Sequence, residues 1–140
     1  MFYLDASVAV AAVTDEVHSP RIWDWLARHQ GAPILISGWV NTEVSSALSI
    51  KVRTHALKGL ERNEAMASWR RLCAASFGEV AVSPDHFETA ASFCSRSELS
   101  LRAGDALHLA IAESAGLRLL TFDVRLSETA PGLGIPVEPL

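Results

Sequence analysis

Short apolar runs alternate along the chain with longer stretches whose apolar residues recur at helical spacing. The runs "FYLD" (2–5), "APILIS" (32–37), "EVAVS" (79–83) and "LRLLT" (117–121) have strand length and end in polar or turn residues. Between them, "ASVAVAAVT" (6–14), "SPRIWDWLARHQ" (19–30), "GWVNTEVSSALSIKVRTHAL" (38–57), "ERNEAMASWRRLCAASF" (61–77), "SPDHFETAASFCSRSEL" (83–99) and "GDALHLAIAESAG" (104–116) predict helices. In the 38–57 segment, Trp39, Val40, Val44, Ala47, Leu48 and Val52 keep one apolar face. Ser19-Pro20 and Ser83-Pro84 supply the cap and first-turn residues that open helices. Gly78 is expected to end the helix before it, and Gly116 to follow the last one. "IPVEP" (135–139) is expected as a further strand at a sheet edge, where proline is tolerated. Strands separated by helices of this length pair in parallel through crossovers. The expected fold class is therefore α/β, an α/β/α sandwich on a mainly parallel central sheet, with one domain spanning residues 1–140.

Composition supports a folded domain and narrows its chemistry. The chain has 140 residues, 49% hydrophobic and 20% charged, as compact domains do. Its net charge of −4 opposes a simple basic clamp for nucleic acid, so a polyanionic substrate would need local neutralisation, for instance by a metal ion. No apolar run approaches the roughly 20 residues of a membrane helix, and no basic segment precedes an apolar one at the start. These features predict a cytoplasmic protein without a membrane partner. Cys73 and Cys94 stand alone in alanine-rich contexts, as buried hydrophobes of a reducing compartment would. The histidines are too scattered for a zinc cluster.

Acidic residues at the margins of apolar segments carry the chemical signal. Ligands of parallel α/β sheets bind beyond the carboxyl ends of the strands. Asp5 closes the first strand, Asp123 follows the last, Asp105 opens a helix, and Glu43 lies in the early turns of the helix after "APILIS". Each has an ordinary alternative: Asp105 as a helix cap, Asp123 as a turn residue, Glu43 as a solvated helix residue. Asp5 is harder to explain away, because it lies between two segments that should both be buried. Two carboxylates about 5 Å apart repel by roughly 3 kcal/mol at an effective dielectric near 20, so a cluster of four would bind protons or hard divalent cations. His108 shares a helix face with Asp105, where packing is the plainer role. Trp23, Trp25, Trp39 and Trp69 occupy amphipathic positions suited to core or partner packing.

At these residues the chain resembles the PIN-domain nucleases, and among them the VapC toxins of type II toxin–antitoxin pairs. The matching pieces are "YLDAS" (3–7), "SGWVNTEVSSAL" (37–48), "LRAGDALHLAIAESAGLRLLTFD" (101–123) and "LGIPV" (133–137). The resemblance implies an acidic quartet of Asp5, Glu43, Asp105 and Asp123 that holds Mg²⁺ or Mn²⁺ and cleaves RNA as an endoribonuclease. Asp5 and Asp105 are the expected main direct ligands, Asp123 completes the shell directly or through water, and Glu43 ligates or positions the attacking water. Ser7 and Thr121 match the hydroxyl positions that support the first and last acids. A cognate VapB-like antitoxin, seated in an apolar groove around residues 20 to 60, and a homodimer are implied by the same resemblance. Arg102, Arg118 and Arg125 lie near the late block as candidate contacts to the RNA backbone, with plain surface solvation as the alternative. Two rivals remain. A haloacid-dehalogenase-like phosphatase also begins with a strand ending in Asp, but needs a second Asp at position 7, where this chain has Ser7. A non-catalytic PIN-like binding module would not need four acids.

Overall fold

A computed structural model describes all residues 1–140. Four strands, β1 (Phe2–Leu4), β2 (Ile34–Ser37), β3 (Phe77–Val80) and β4 (Arg118–Leu120), form one sheet in the order β3-β2-β1-β4. Every pairing is parallel. The connections are helical: α1 (Ala6–Val13) and α2 (Ser19–Arg28), then α3 (Gly38–Arg53) and α4 (Gly59–Ser76), then α5 (Pro84–Ser95) and α6 (Ala103–Ser114). After β4 come a short α7 (Val124–Thr129) and a 3₁₀ turn over Ala130–Leu133.

Neighbouring residues on a strand point to opposite faces. Tyr3 and Leu4 are both fully buried, as are Leu119 and Leu120, so helices cover the central strands on both faces. This is the sandwich that the continuous apolar runs predicted. One contiguous core joins the strands to Ile22, Trp25, Val44, Leu48, Trp69 and Ile111. Two of the four tryptophans are thus structural, Trp25 resting edge-on against Phe2 with ring centroids 4.9 Å apart.

Local expectations failed in four places. β3 begins at Phe77 rather than Glu79, and Gly78 lies inside the strand instead of ending α4. A Cβ on Gly78 would stand 2.6 Å from Leu35 Cδ2, so the glycine permits close strand pairing rather than a helix stop. The "IPVEP" segment makes only one parallel bridge, Leu119 to Val137, and no strand. Its two prolines supply no N–H to a ladder. Ser19 is the first residue of α2, not its cap, and His18 precedes it. Cys94 is exposed on α5 rather than buried, while Cys73 is partly covered.

The strand order decides where ligands can approach. The chain steps outward from β1 to β2 to β3, then returns to place β4 on the other side of β1. The segments leaving β1 and β4 part there, which opens a crevice at the carboxyl ends of those two strands. No helix is long and apolar enough to cross a membrane.

Candidate active site at the β1–β4 crevice

Asp5 emerges from β1 into this crevice and is the N-cap of α1. Its side chain is 2% exposed. Oδ1 accepts from Ser7 Oγ at 2.6 Å and from the Val8 backbone N–H at 3.1 Å. Oδ2 accepts from Thr121 Oγ1, also at 2.6 Å. Burial pushes the Asp5 carboxyl above the usual carboxylate range, while these hydrogen bonds pull it down. The two hydroxyls also organise the strand end opposite: Ser7 Oγ accepts the Phe122 N–H at 2.8 Å, and Thr121 Oγ1 accepts the Asp123 N–H at 2.9 Å. Both hydroxyls therefore lock β1 to the segment leaving β4.

Asp123 caps α7, with Leu126 N–H donating to Oδ1 at 3.0 Å. It is exposed at the rim. Asp105 is not a cap, since Arg102 holds that position; it is the third residue of α6, half-buried within the first turn. Helix α6 runs back toward the start of β4, so its first turn lies at the carboxyl edge of the sheet. Burial raises the Asp105 carboxyl, and the nearby charges of Asp123 and Glu43 raise it further. Asp105 and Asp123 line one open cleft of about 510 Å³ with Arg102, Arg125 and Glu128. Arg125 also donates to the Ser100 carbonyl at 2.8 Å, which ties α7 to the loop before α6.

Glu43 reaches the same region from α3 and makes a 2.5 Å hydrogen bond to His108 Nε2. His108 is thus both a buried packing residue of α6 and a direct neighbour of an acid in the predicted quartet. Close approach of α6 to α3 depends on Gly104, where a Cβ would stand 3.0 Å from Glu43 Oε1 and 3.3 Å from Trp39 Cζ2. Sequence reasoning passed over this glycine; its place directly before the acid of "GDAL" was the available signal. Arg118 lies elsewhere. It opens β4 at the amino edge, where its Nε pairs with Glu138 at 3.5 Å.

The acids converge on one edge but do not form a ready-made chelate. No three His, Cys, Asp or Glu side chains are gathered closely enough to hold one ion. Asp5 lies buried with both oxygens hydrogen-bonded, and Glu43 is tied to His108. Asp105 and Asp123 remain as all-oxygen donors on a shared cleft. Mg²⁺ commonly binds through one or two carboxylates while keeping several waters, so this donor set fits a hard divalent ion. The crevice lacks the second acid of the phosphatase pattern, since Ser7 occupies that position, and Lys51 is paired with Glu16.

Comparison with known proteins agrees with this geometry. The family model described as "PIN domain" matches residues 2–131. Ribonuclease VapC35 of Mycobacterium tuberculosis is 31% identical over 146 residues, spanning 98% of this chain and 95% of the relative. Two solved structures share the fold. One is M. tuberculosis VapC20, described as a sarcin–ricin loop cleaving toxin, with a TM-score of 0.72 at 17% identity, covering 92% of this chain and 95% of that one. The other is VapBC2 from Rickettsia felis, solved on a DNA fragment from its promoter, with a TM-score of 0.70 at 17% identity, covering 99% and 98%. A family match along nearly the whole chain, joined to a rim of acids at the β1–β4 crevice, places this protein in the PIN-domain family, among the VapC ribonucleases.

Proposed function

We propose that this chain is the toxin of a type II toxin–antitoxin pair, an endoribonuclease that hydrolyses RNA phosphodiester bonds with Mg²⁺ or Mn²⁺ at the β1–β4 crevice. The observation that carries the reading is the arrival of Asp5, Glu43, Asp105 and Asp123 from four separate elements at one sheet edge. Asp105 and Asp123 are the residues that would hold the ion from the protein side. Asp5 stands behind them, joined to Asp123 through the Thr121 hydroxyl. Glu43 ligates the ion or positions the attacking water. A divalent cation here would lower the pKa of a bound water and offset charge on the phosphorane-like transition state. Arg102 and Arg125 flank the same cleft and would receive the RNA backbone, which reconciles an acidic chain with a polyanionic substrate.

The antitoxin is a VapB-like chain, and its seat is the cleft of about 490 Å³ between α2 and α4, lined by Trp23, Leu26 and Leu72. This groove overlaps only the first part of the 20–60 span expected from sequence. Half-exposed Trp23 would supply an aromatic anchor there. The protein is read as a cytoplasmic homodimer.

The decisive experiment incubates purified chain with total cellular RNA in Mg²⁺, in Mn²⁺ and in chelator, beside Asp105→Asn and Asp123→Asn. Cleavage that needs metal and is lost in both variants supports the reading. Equal cleavage by wild type and variants would overturn it, and no cleavage under any metal would favour the binding-module alternative.

A further inference from the structure

A buried line of hydrogen bonds runs from the sheet to Glu43. Ser37 Oγ is 2.8 Å from Tyr3 OH, Tyr3 OH is 3.0 Å from His108 Nδ1, and His108 Nε2 contacts Glu43 Oε2. Ser37, Tyr3 and His108 are each 2% exposed or less. Glu43, at the far end, keeps 29% of its side chain open. An ionised carboxylate only accepts, so the His108 nitrogen facing Glu43 must carry a proton. A tyrosine phenol keeps its proton at neutral pH, so the Tyr3 hydroxyl can donate to the ring. With Nδ1 accepting from Tyr3 and Ser37 donating to the phenol oxygen, every group is satisfied and every donor points toward Glu43.

We propose that His108, fixed in its Nε2–H tautomer by the Tyr3 hydroxyl, is a positioning residue that aims Glu43 at the crevice. Glu43 then serves as the oriented acceptor for a proton of the attacking water rather than as a principal ion ligand. Asp105 and Asp123 keep the ligand role. Histidines held in one tautomer by a hydrogen bond on the far nitrogen commonly orient a reactive neighbour in this way. Tyr3 supplies that bond from the middle of β1, so the central strand itself sets the acid's aim. This inference rests on the proposed nuclease reading, and the closing experiment separates the two.

Nitrogen-15 NMR of the imidazoles in the purified chain reads the tautomer without any cleavage assay. His108 is expected with a protonated Nε2 and a bare Nδ1, and Tyr3→Phe should shift its Nδ1 resonance. A proton on Nδ1 would overturn the proposal. In the cleavage assay, His108→Leu should lower kcat about 10- to 100-fold with little change in KM, as loss of supporting partners generally does. His108→Gln, which restores an N–H donor toward Glu43, should recover most of that loss. Tyr3→Phe, which keeps the ring packed, provides the folded variant should His108→Leu prove unstable, and its kcat should fall in the same direction. Unchanged kcat in Tyr3→Phe and His108→Leu, with Asp105→Asn inactive, would sink the relay alone. Activity retained in Asp105→Asn would instead sink the nuclease site, while the tautomer result would stand.

Discussion

Replacing Gly104 by alanine tests the geometry of the crevice with a single methyl group. The new Cβ would meet Glu43 Oε1 at 3.0 Å and Trp39 Cζ2 at 3.3 Å, against an ordinary contact of 3.4 Å or more. Moving the carboxylate from 3.0 to 3.4 Å is a shift of about 0.4 Å, and His108 holds its other oxygen. A misplacement near 1 Å can cost about 100-fold in rate, so the smaller shift should cost on the order of tenfold, or roughly 1.4 kcal/mol of barrier. Stability should hardly change. Alanine favours a helix by about 0.5–1 kcal/mol over glycine, and the close contact offsets a similar amount. Gly38→Ala, at the start of the helix that carries Glu43, introduces a Cβ with nothing within 4 Å and serves as the control. Single-turnover cleavage of a labelled RNA and urea denaturation would be measured for both. Full activity in a folded Gly104→Ala would refute the claim that this approach sets Glu43. A loss of more than about 2 kcal/mol in stability would show that packing, not aim, was disturbed.

Four further outcomes are expected. Asp105 has a folded-state value raised above its ordinary 3.8, so its stabilising contribution is complete below that value and disappears as pH rises through the folded value. In chelator at neutral pH, Asp105→Asn should therefore be slightly more stable than wild type, by less than about 1 kcal/mol because solvent screens a half-exposed group; thermal unfolding from pH 3 to 8 should show the gap opening upward from about pH 4. Mg²⁺ should raise the Tm of wild type by mass action, and titration should show that shift lost in Asp123→Asn. Thr121→Val, nearly isosteric, strips one buried Asp5 oxygen and the Asp123 N–H of their partner; chemical denaturation should register a loss of about 2–3 kcal/mol. Arg102→Ala should weaken RNA binding and flatten its salt dependence, whereas Arg118→Ala, at the opposite sheet edge, should leave both unchanged in filter-binding assays.

Local pattern determined a great deal of this protein. The apolar runs located β1, β2 and β4, and the Ser-Pro pair at 83–84 located α5, because strand and helix periodicities are properties of neighbouring residues. Asp5 was legible for the same reason: a charge between two segments that must be buried needs partners, and Ser7, two residues on, is one of them. Signals failed where a residue's role depended on a distant strand. Gly78 looked like a helix stop until Leu35 of β2 was seen against it.

Only the tertiary structure decided which acids stand in which relation. The β3-β2-β1-β4 order opens the crevice between β1 and β4, and no periodicity encodes that order. It brings Thr121 to Asp5 across 116 residues and His108 to Glu43 across 65, which makes one carboxylate buried and hydrogen-bonded and joins another to a buried imidazole. Chain sequence supplies residue types at element ends; the packing of two helices and two strands around Tyr3 and Gly104 fixes their distances. Hydrogen bonds and carboxylate repulsion act over a few ångströms, so the chemistry is set by those distances.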